Sequence, residues 1–153
     1  MRVLVAAIGR MRAGVLKDLQ EDYARRITAW PLTLRELEER RPLPATDLKE
    51  REGALLLDAV PKGATVVALD ERGANLTSPQ FSERLSRWQD AGVGDLAFLI
   101  GGADGHPEVV RRRAELTLSL GALTWPHLLA RSLLLEQLYR AQQILAGHPY
   151  HRV

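Results

Sequence analysis

Leu116-Thr117-Leu118-Ser119-Leu120-Gly121-Ala122-Leu123-Thr124-Trp125-Pro126-His127 is the stretch on which the reading of this chain turns. Its first half alternates apolar and polar residues, the period of a half-buried strand; Gly121 and Pro126 then break it into a loop that a long helix follows. Gly121 admits backbone angles closed to other residues, Pro126 fixes its own φ and lacks an N–H, and Thr124 supplies a small hydroxyl. A loop of this composition offers backbone N–H and C=O groups, not large charged side chains, to a small ligand. Upstream, Ala97-Phe98-Leu99-Ile100-Gly101-Gly102 repeats the pattern of a strand running into glycines, so two such loops can meet at one edge of a sheet.

Outward from this stretch, strand and helix patterns alternate. Arg2 to Ile8 reads as a buried strand ended by Gly9, and residues near 13 to 29 carry Val15, Leu16, Leu19, Tyr23 and Ile27 at helical spacing. Leu32, Leu34 and Leu37 predict a second strand. Pro42 and Pro44 mark a loop, and Thr46 or Asp47 is the expected cap of a helix through Leu48, Leu55, Leu56 and Val60. Ala64 to Asp70 is the clearest strand, and Asp70 to Asn75 is read as the loop at its carboxyl end. Ser78 and Pro79 predict an N-cap and first helical residue, ahead of Phe81, Leu85 and Trp88 on one helix face. Leu96 to Ile100 is a strand, Pro107 starts a helix through Val109, Val110 and Ala114, and the last helix runs from His127 to about Ala146. Its apolar face is wider than one sheet requires, so it is either deeply buried or packed against a second copy of the chain. Strands alternating with helices give an α/β class with a mostly parallel sheet, and residues 1–153 form one domain.

The composition sets limits. With 153 residues and no cysteine, the chain needs no disulfide to build a core, and thiolate chemistry and cysteine-zinc sites are excluded. Its apolar runs fall far short of the ~20 residues that cross a bilayer, and the short apolar segment before Gly9 is too brief for a signal sequence, so a cytoplasmic protein without a membrane partner is expected. The net charge of +2 comes from 21 basic against 19 acidic residues and decides nothing alone. Arg10 with Arg12, Arg25 with Arg26, Arg40 with Arg41, and Arg111 to Arg113 fit either solvated faces or a phosphate-binding surface. No Gly-x-Gly-x-x-Gly or Walker motif is present, His106, His127, His148 and His151 have no metal spacing, and Ser119 lacks a nucleophile elbow, which disfavours nucleotide folds, zinc hydrolysis and serine hydrolysis.

A set of spaced motifs is more specific: Ile100-Gly101-Gly102-x-x-Gly105, Ser119-Leu120-x-x-Leu123-Thr124-x-Pro126-His127, Arg131, Glu136-Gln137-x-Tyr139-Arg140-Ala141 and His148-Pro149-Tyr150-His151. With Val5-Ala6-x-Ile8-Gly9 and Leu69-Asp70, they make the chain resemble, over essentially its whole length, the ribosomal RNA large subunit methyltransferase H family of the SPOUT superfamily. Gly121 and Trp125 depart from the resemblance, standing where many relatives have serine and leucine or phenylalanine; backbone contacts survive both changes.

The resemblance implies a SPOUT-type sheet flanked by helices with a carboxyl-terminal trefoil knot, a homodimer, and transfer of a methyl group from S-adenosylmethionine to N3 of a pseudouridine in 23S rRNA of the assembled 70S ribosome, without a metal. It places the cofactor among Leu69, Gly101, Gly102, Leu120, Gly121, Ala122, Leu123, Thr124 and Trp125. Methylation at N3 must remove a proton, so a general base or a group stabilising an anion is required. His151, His148, Tyr150, Arg131 and Arg140 are the candidates, with His151 preferred as proton acceptor and an arginine beside it. The plainer roles are a helix cap for His127, an intersubunit salt bridge for Arg131 and a core position for Tyr139. Arg10, Arg12 and Arg111 to Arg113 are the expected phosphate contacts. The competing readings are a non-catalytic RNA-binding dimer, which predicts no cofactor binding, and a related methyltransferase of tRNA, which predicts indifference to ribosomal subunits.

Overall fold

The computed structural model of the protein describes residues 1–150. The elements follow the alternation: β1 (Arg2–Ile8), α1 (Val15–Arg26), β2 (Leu32–Leu37), α2 (Ala45–Ala59), β3 (Thr65–Ala74), α3 (Ser78–Asp90), β4 (Asp95–Ile100), α4 (Glu108–Arg113), β5 (Leu116–Leu118) and α5 (His127–Leu145). Helical crossovers force the strands to run parallel, and all four strand pairings are parallel in the order β2-β1-β4-β3-β5. Val5 stands opposite Leu34 on one side and Phe98 on the other.

Strand periodicity sorts the sheet into two cores. Val3, Val5, Ala7, Val67, Leu96, Phe98 and Ile100 face α1, α3 and α5, where Phe81, Leu85, Leu134, Leu135 and Leu138 meet them. Ala6, Ile8, Val66, Ala68, Ala97 and Leu99 face α2 and α4 through Leu56 and Val110. Phe98 is fully buried and meets Phe81 edge-on at 6.2 Å; burying a side chain of that size stabilises by about 1.5–3 kcal/mol. Gly53 lets α2 approach α4, because a Cβ there would stand 2.3 Å from Pro107 Cγ. Gln142 on α5 fastens the end of α1, accepting from the N–H groups of Thr28 and Ala29 and donating to the Arg26 carbonyl.

Local boundaries differ from the sequence expectation where tertiary contacts intervene. Pro44, not Thr46 or Asp47, is the residue ahead of α2, so both polar residues fall inside its first turn. Thr77 caps α3 in a reciprocal pair with Gln80, one residue earlier than expected. β3 does not stop at Asp70 but continues to Ala74, with an irregularity in register that lets both Leu69 and Ala74 pair with Leu118. β5 in turn holds only three residues, the Ser119 N–H closing on the Ala74 carbonyl before the chain leaves the sheet. Of the apolar residues on α5, Leu134, Leu135 and Leu138 are fully buried, whereas Leu128, Leu129, Leu133 and Ile144 are half-buried and Leu145 is exposed.

From β5 at the sheet edge the chain crosses the carboxyl ends of β3 and β4 before α5 begins. Arg131, one turn into α5, reaches the carbonyls of Ile8 and Gly9 at the end of β1. That crossing builds the site.

Candidate active site

Parallel strands deliver their loops to one edge, and ligands collect there. Here the segments after β3, β4 and β5 enclose a cavity of about 480 Å³ together with the first turn of α5 and Lys49 of α2. Such a volume lies in the range of small-molecule sites. Leu69, Gly101, Gly102, Leu120, Gly121, Leu123, Thr124 and Trp125 all line it. Ala122 is exposed and is not part of the wall. Gly121 has φ +117°, a conformation that side chains disfavour, and the Ser119 hydroxyl holds its turn by donating to the Gly121 carbonyl at 2.9 Å and accepting from the Gly121 N–H at 3.1 Å. Trp125 Nε1 donates to the Leu120 carbonyl, and Thr124 donates to Glu71, joining the loop after β5 to the end of β3.

The rim is charged. Burial pushes the Asp70 carboxyl up, but hydrogen bonds from Arg72 and the nearby Arg111 outweigh that and hold it below the usual carboxylate range. Glu52, on α2 behind Gly102, is shifted the other way: burial, then the Asp104 charge, raises its carboxyl. His127 lines the cavity, and burial and the adjacent Arg131 lower its imidazole, favouring the neutral ring. His106, almost wholly buried, engages the Leu99 carbonyl through Nε2 at 3.1 Å, and burial lowers it too. Lys49, Glu52, Asp104 and the cavity-facing position of His127 were not among the sequence candidates.

Arg131 is 2% exposed. Its Nη1 donates to Glu36 at 2.6 Å and its Nη2 to the Ile8 and Gly9 carbonyls at 2.9 and 2.7 Å. It ties α5 to β1 and β2 and does not line the cavity. The ion pair expected as intersubunit is formed within the chain. Arg140 pairs with Glu136, and Tyr150 donates to the same carboxylate at 3.0 Å while its ring lies under Arg140 and against Tyr139. Glu136 belongs to a second cavity of about 320 Å³ between α3 and α5, which shares Leu118, Leu120, Gly121 and Trp125 with the first. The loop after β5 is thus a partition, with the cavity on one side and the Tyr150–Arg140 group on the other. His148 Nδ1 accepts from the Tyr150 N–H, and His151 lies outside the described residues. Arg111 and Arg113 hold the His106 and Ala64 carbonyls, which leaves Arg10, Arg12 and Arg112 as the more exposed of the expected phosphate contacts.

Among the described residues no three His, Cys, Asp or Glu side chains are grouped as a metal would require, and no helix is long and apolar enough to cross a membrane.

Comparison with known proteins agrees with the motifs. The family model described as predicted SPOUT methyltransferase matches residues 1–151. The ribosomal RNA large subunit methyltransferase H of Rhodospirillum centenum is 57% identical over 152 residues, covering 99% of both chains. The protein of the same name from Paramagnetospirillum magneticum is 56% identical over the same length and coverage. In fold, a Legionella pneumophila methyltransferase structure with bound S-adenosylmethionine superimposes with a TM-score of 0.50 at 12% identity, over 92% of this chain and 66% of that one. Full-length identity of this order, on a sheet whose strand-end loops carry the motifs, settles the family: the chain belongs to the SPOUT methyltransferases, and within them to the ribosomal RNA large subunit methyltransferase H family.

Proposed function

We propose that the chain transfers a methyl group from S-adenosylmethionine to N3 of a pseudouridine in 23S rRNA, as a cytoplasmic homodimer acting on the assembled 70S ribosome. In this reading residues 1–153 are one SPOUT unit whose carboxyl-terminal part is threaded as a trefoil knot. The observation that carries it is the three-loop cavity, in a chain that matches its relatives from end to end. The cavity is large enough for the donor, and its glycine turns present backbone groups without side chains in the way. The path of residues 119–126 from the sheet edge back across the ends of β3 and β4 is the one that such a threading would take.

S-adenosylmethionine supplies a methyl on a sulfonium, open to in-line displacement. The chain's own task is to align, to exclude water and to take up a proton. Leu69, Gly101, Gly102 and Leu120 to Trp125 enclose the donor. Neutral His127, inside the cavity wall, is a candidate proton acceptor, as His151 of the tail is. Arg131 acts as a positioning residue through Ile8, Gly9 and Glu36. Tyr150 and Arg140 stand on the far side of the partition from their own chain's cavity. A second protomer that brings its tail to this cavity reconciles the two halves, and exposed Leu123 and Trp125, at 71% and 40%, supply apolar surface for that contact.

The test is transfer of labelled methyl from S-adenosylmethionine to 70S ribosomes, free subunits and bulk tRNA, followed by mass mapping. The expected product is N3-methylpseudouridine in 23S rRNA, formed on 70S particles. Label on tRNA moves the enzyme to another substrate class. No label on any RNA, together with no cofactor binding, overturns the enzyme reading in favour of a non-catalytic dimer.

A further inference from the structure

Glu52 is a largely buried acid without an ion-pair partner. It lies on α2 at 9% exposure, and among the described residues its carboxylate takes neither a hydrogen bond nor an ion pair. Its oxygens are 2.9 and 3.1 Å from the point where a Cβ on Gly102 would stand, so the carboxylate packs directly against a turn that lines the cavity. Asp104, further along that turn, also lines the cavity and adds a second negative charge close enough to act on Glu52. Lys49, one helical turn earlier on the same face of α2, lines the cavity as well.

A carboxyl largely withdrawn from water and without a partner is costly to ionise, and a second carboxylate nearby raises the cost. A cation delivered to the cavity would remove both penalties. The donor proposed above carries two cationic centres. The sulfonium has no hydrogen to donate, whereas the α-ammonium has three N–H donors and can satisfy carboxylate oxygens in charge-assisted bonds. The α-carboxylate beside that ammonium needs a cation in turn, and Lys49 supplies one.

We propose that Glu52 and Asp104 receive the α-ammonium of S-adenosylmethionine and Lys49 its α-carboxylate, so that α2 and the Gly101–Gly105 turn form a receptor for the amino-acid end of the donor. The proposal rests on the reading of the cavity as the S-adenosylmethionine site. It sets the donor's direction: the amino-acid end lies toward α2, and the adenosyl end toward Leu120 to Trp125.

The test is calorimetric titration of the full chain with S-adenosylmethionine, S-adenosylhomocysteine and 5′-methylthioadenosine, which lacks the amino-acid end. Glu52→Gln is expected to weaken the first two tenfold or more and to leave 5′-methylthioadenosine unchanged. Asp104→Asn, on an exposed turn where the fold is not at stake, is expected to weaken them threefold or more with the same selectivity, and it carries the test if Glu52→Gln fails to fold. Unchanged affinity for S-adenosylmethionine in both variants overturns the proposal. So does an equal loss for all three ligands, because Glu52 would then only shape the Gly102 turn. A wild-type chain that binds none of the three overturns the reading of the cavity itself.

Discussion

Arg131 and Glu52 flank the same cavity, both buried and both ionisable, and the protein treats them in opposite ways. Arg131 has its two terminal nitrogens matched to a carboxylate and two carbonyls, with only Nε unpartnered, and the segments it joins are far apart in sequence. Glu52 has another acid for a neighbour and no donor. Breaking a satisfied buried charge pair strands its partner groups, while an unsatisfied one lowers stability as it stands. The first arrangement holds the fold together, and the second is one that a cationic ligand would complete.

The contrast is broken most directly at Arg131. Arg131→Met is expected to destabilise the chain by about 3 kcal/mol, the lower end for a severed buried pair because Glu36 keeps some contact with water, as read by denaturant unfolding. A loss within the scatter of the fit would remove Arg131 from its structural role. Next in size is Gly102→Ala, whose methyl would press on the Glu52 carboxylate, the free end of a flexible side chain; the expected cost is about 1 kcal/mol, the low end for overpacking. Part of that loss should return in the double variant with Glu52→Ala, which a double-mutant cycle would detect. Thr77→Ala removes the α3 cap, which does not line the cavity. It is expected to cost about 1 kcal/mol and to leave calorimetric affinity for S-adenosylmethionine unchanged, separating stability from binding.

The smallest effect on stability, and the one with the most informative sign, is that of Glu52→Gln. A carboxyl whose folded pKa is raised contributes stability that is present at acid pH and lost as pH rises through that folded value. At neutral pH the wild type therefore carries a penalty that the amide lacks, so the variant should melt at the same temperature or slightly higher. The gap should close as pH falls and the wild-type carboxyl takes up its proton. Thermal melts across this range check it, and a variant less stable than wild type at neutral pH would show that Glu52 already has its partner.

The sheet was legible because alternating apolar residues such as Val3, Val5 and Phe98 report their own burial. The cavity loops were legible because Gly101, Gly102 and Gly121 follow strands directly. The extension of β3 was not: Asp70-Glu71-Arg72-Gly73-Ala74 has a loop's composition, and its pairing arises from contact with Leu118. Glu52 was hidden in Lys49-Glu50-Arg51-Glu52, a charged run that looks solvated from end to end. Gly53 was the available signal, since a glycine inside a helix marks a close approach, here to Pro107 of the neighbouring segment. That Arg140 and Tyr150 lie apart from the cavity was not legible, because the partition is formed by loop packing that no local pattern encodes.

The bonds from Arg131 to Ile8 and Gly9 span 123 and 122 positions. On a ribosome that makes the chain from its amino terminus, β1 emerges long before its clamp. A polypeptide released before residue 131 contains all five strands, with the end of the first paired in the sheet but not tied to α5. Contacts of such long range form late, so the joining of α5 to the first strand comes after the sheet that it braces.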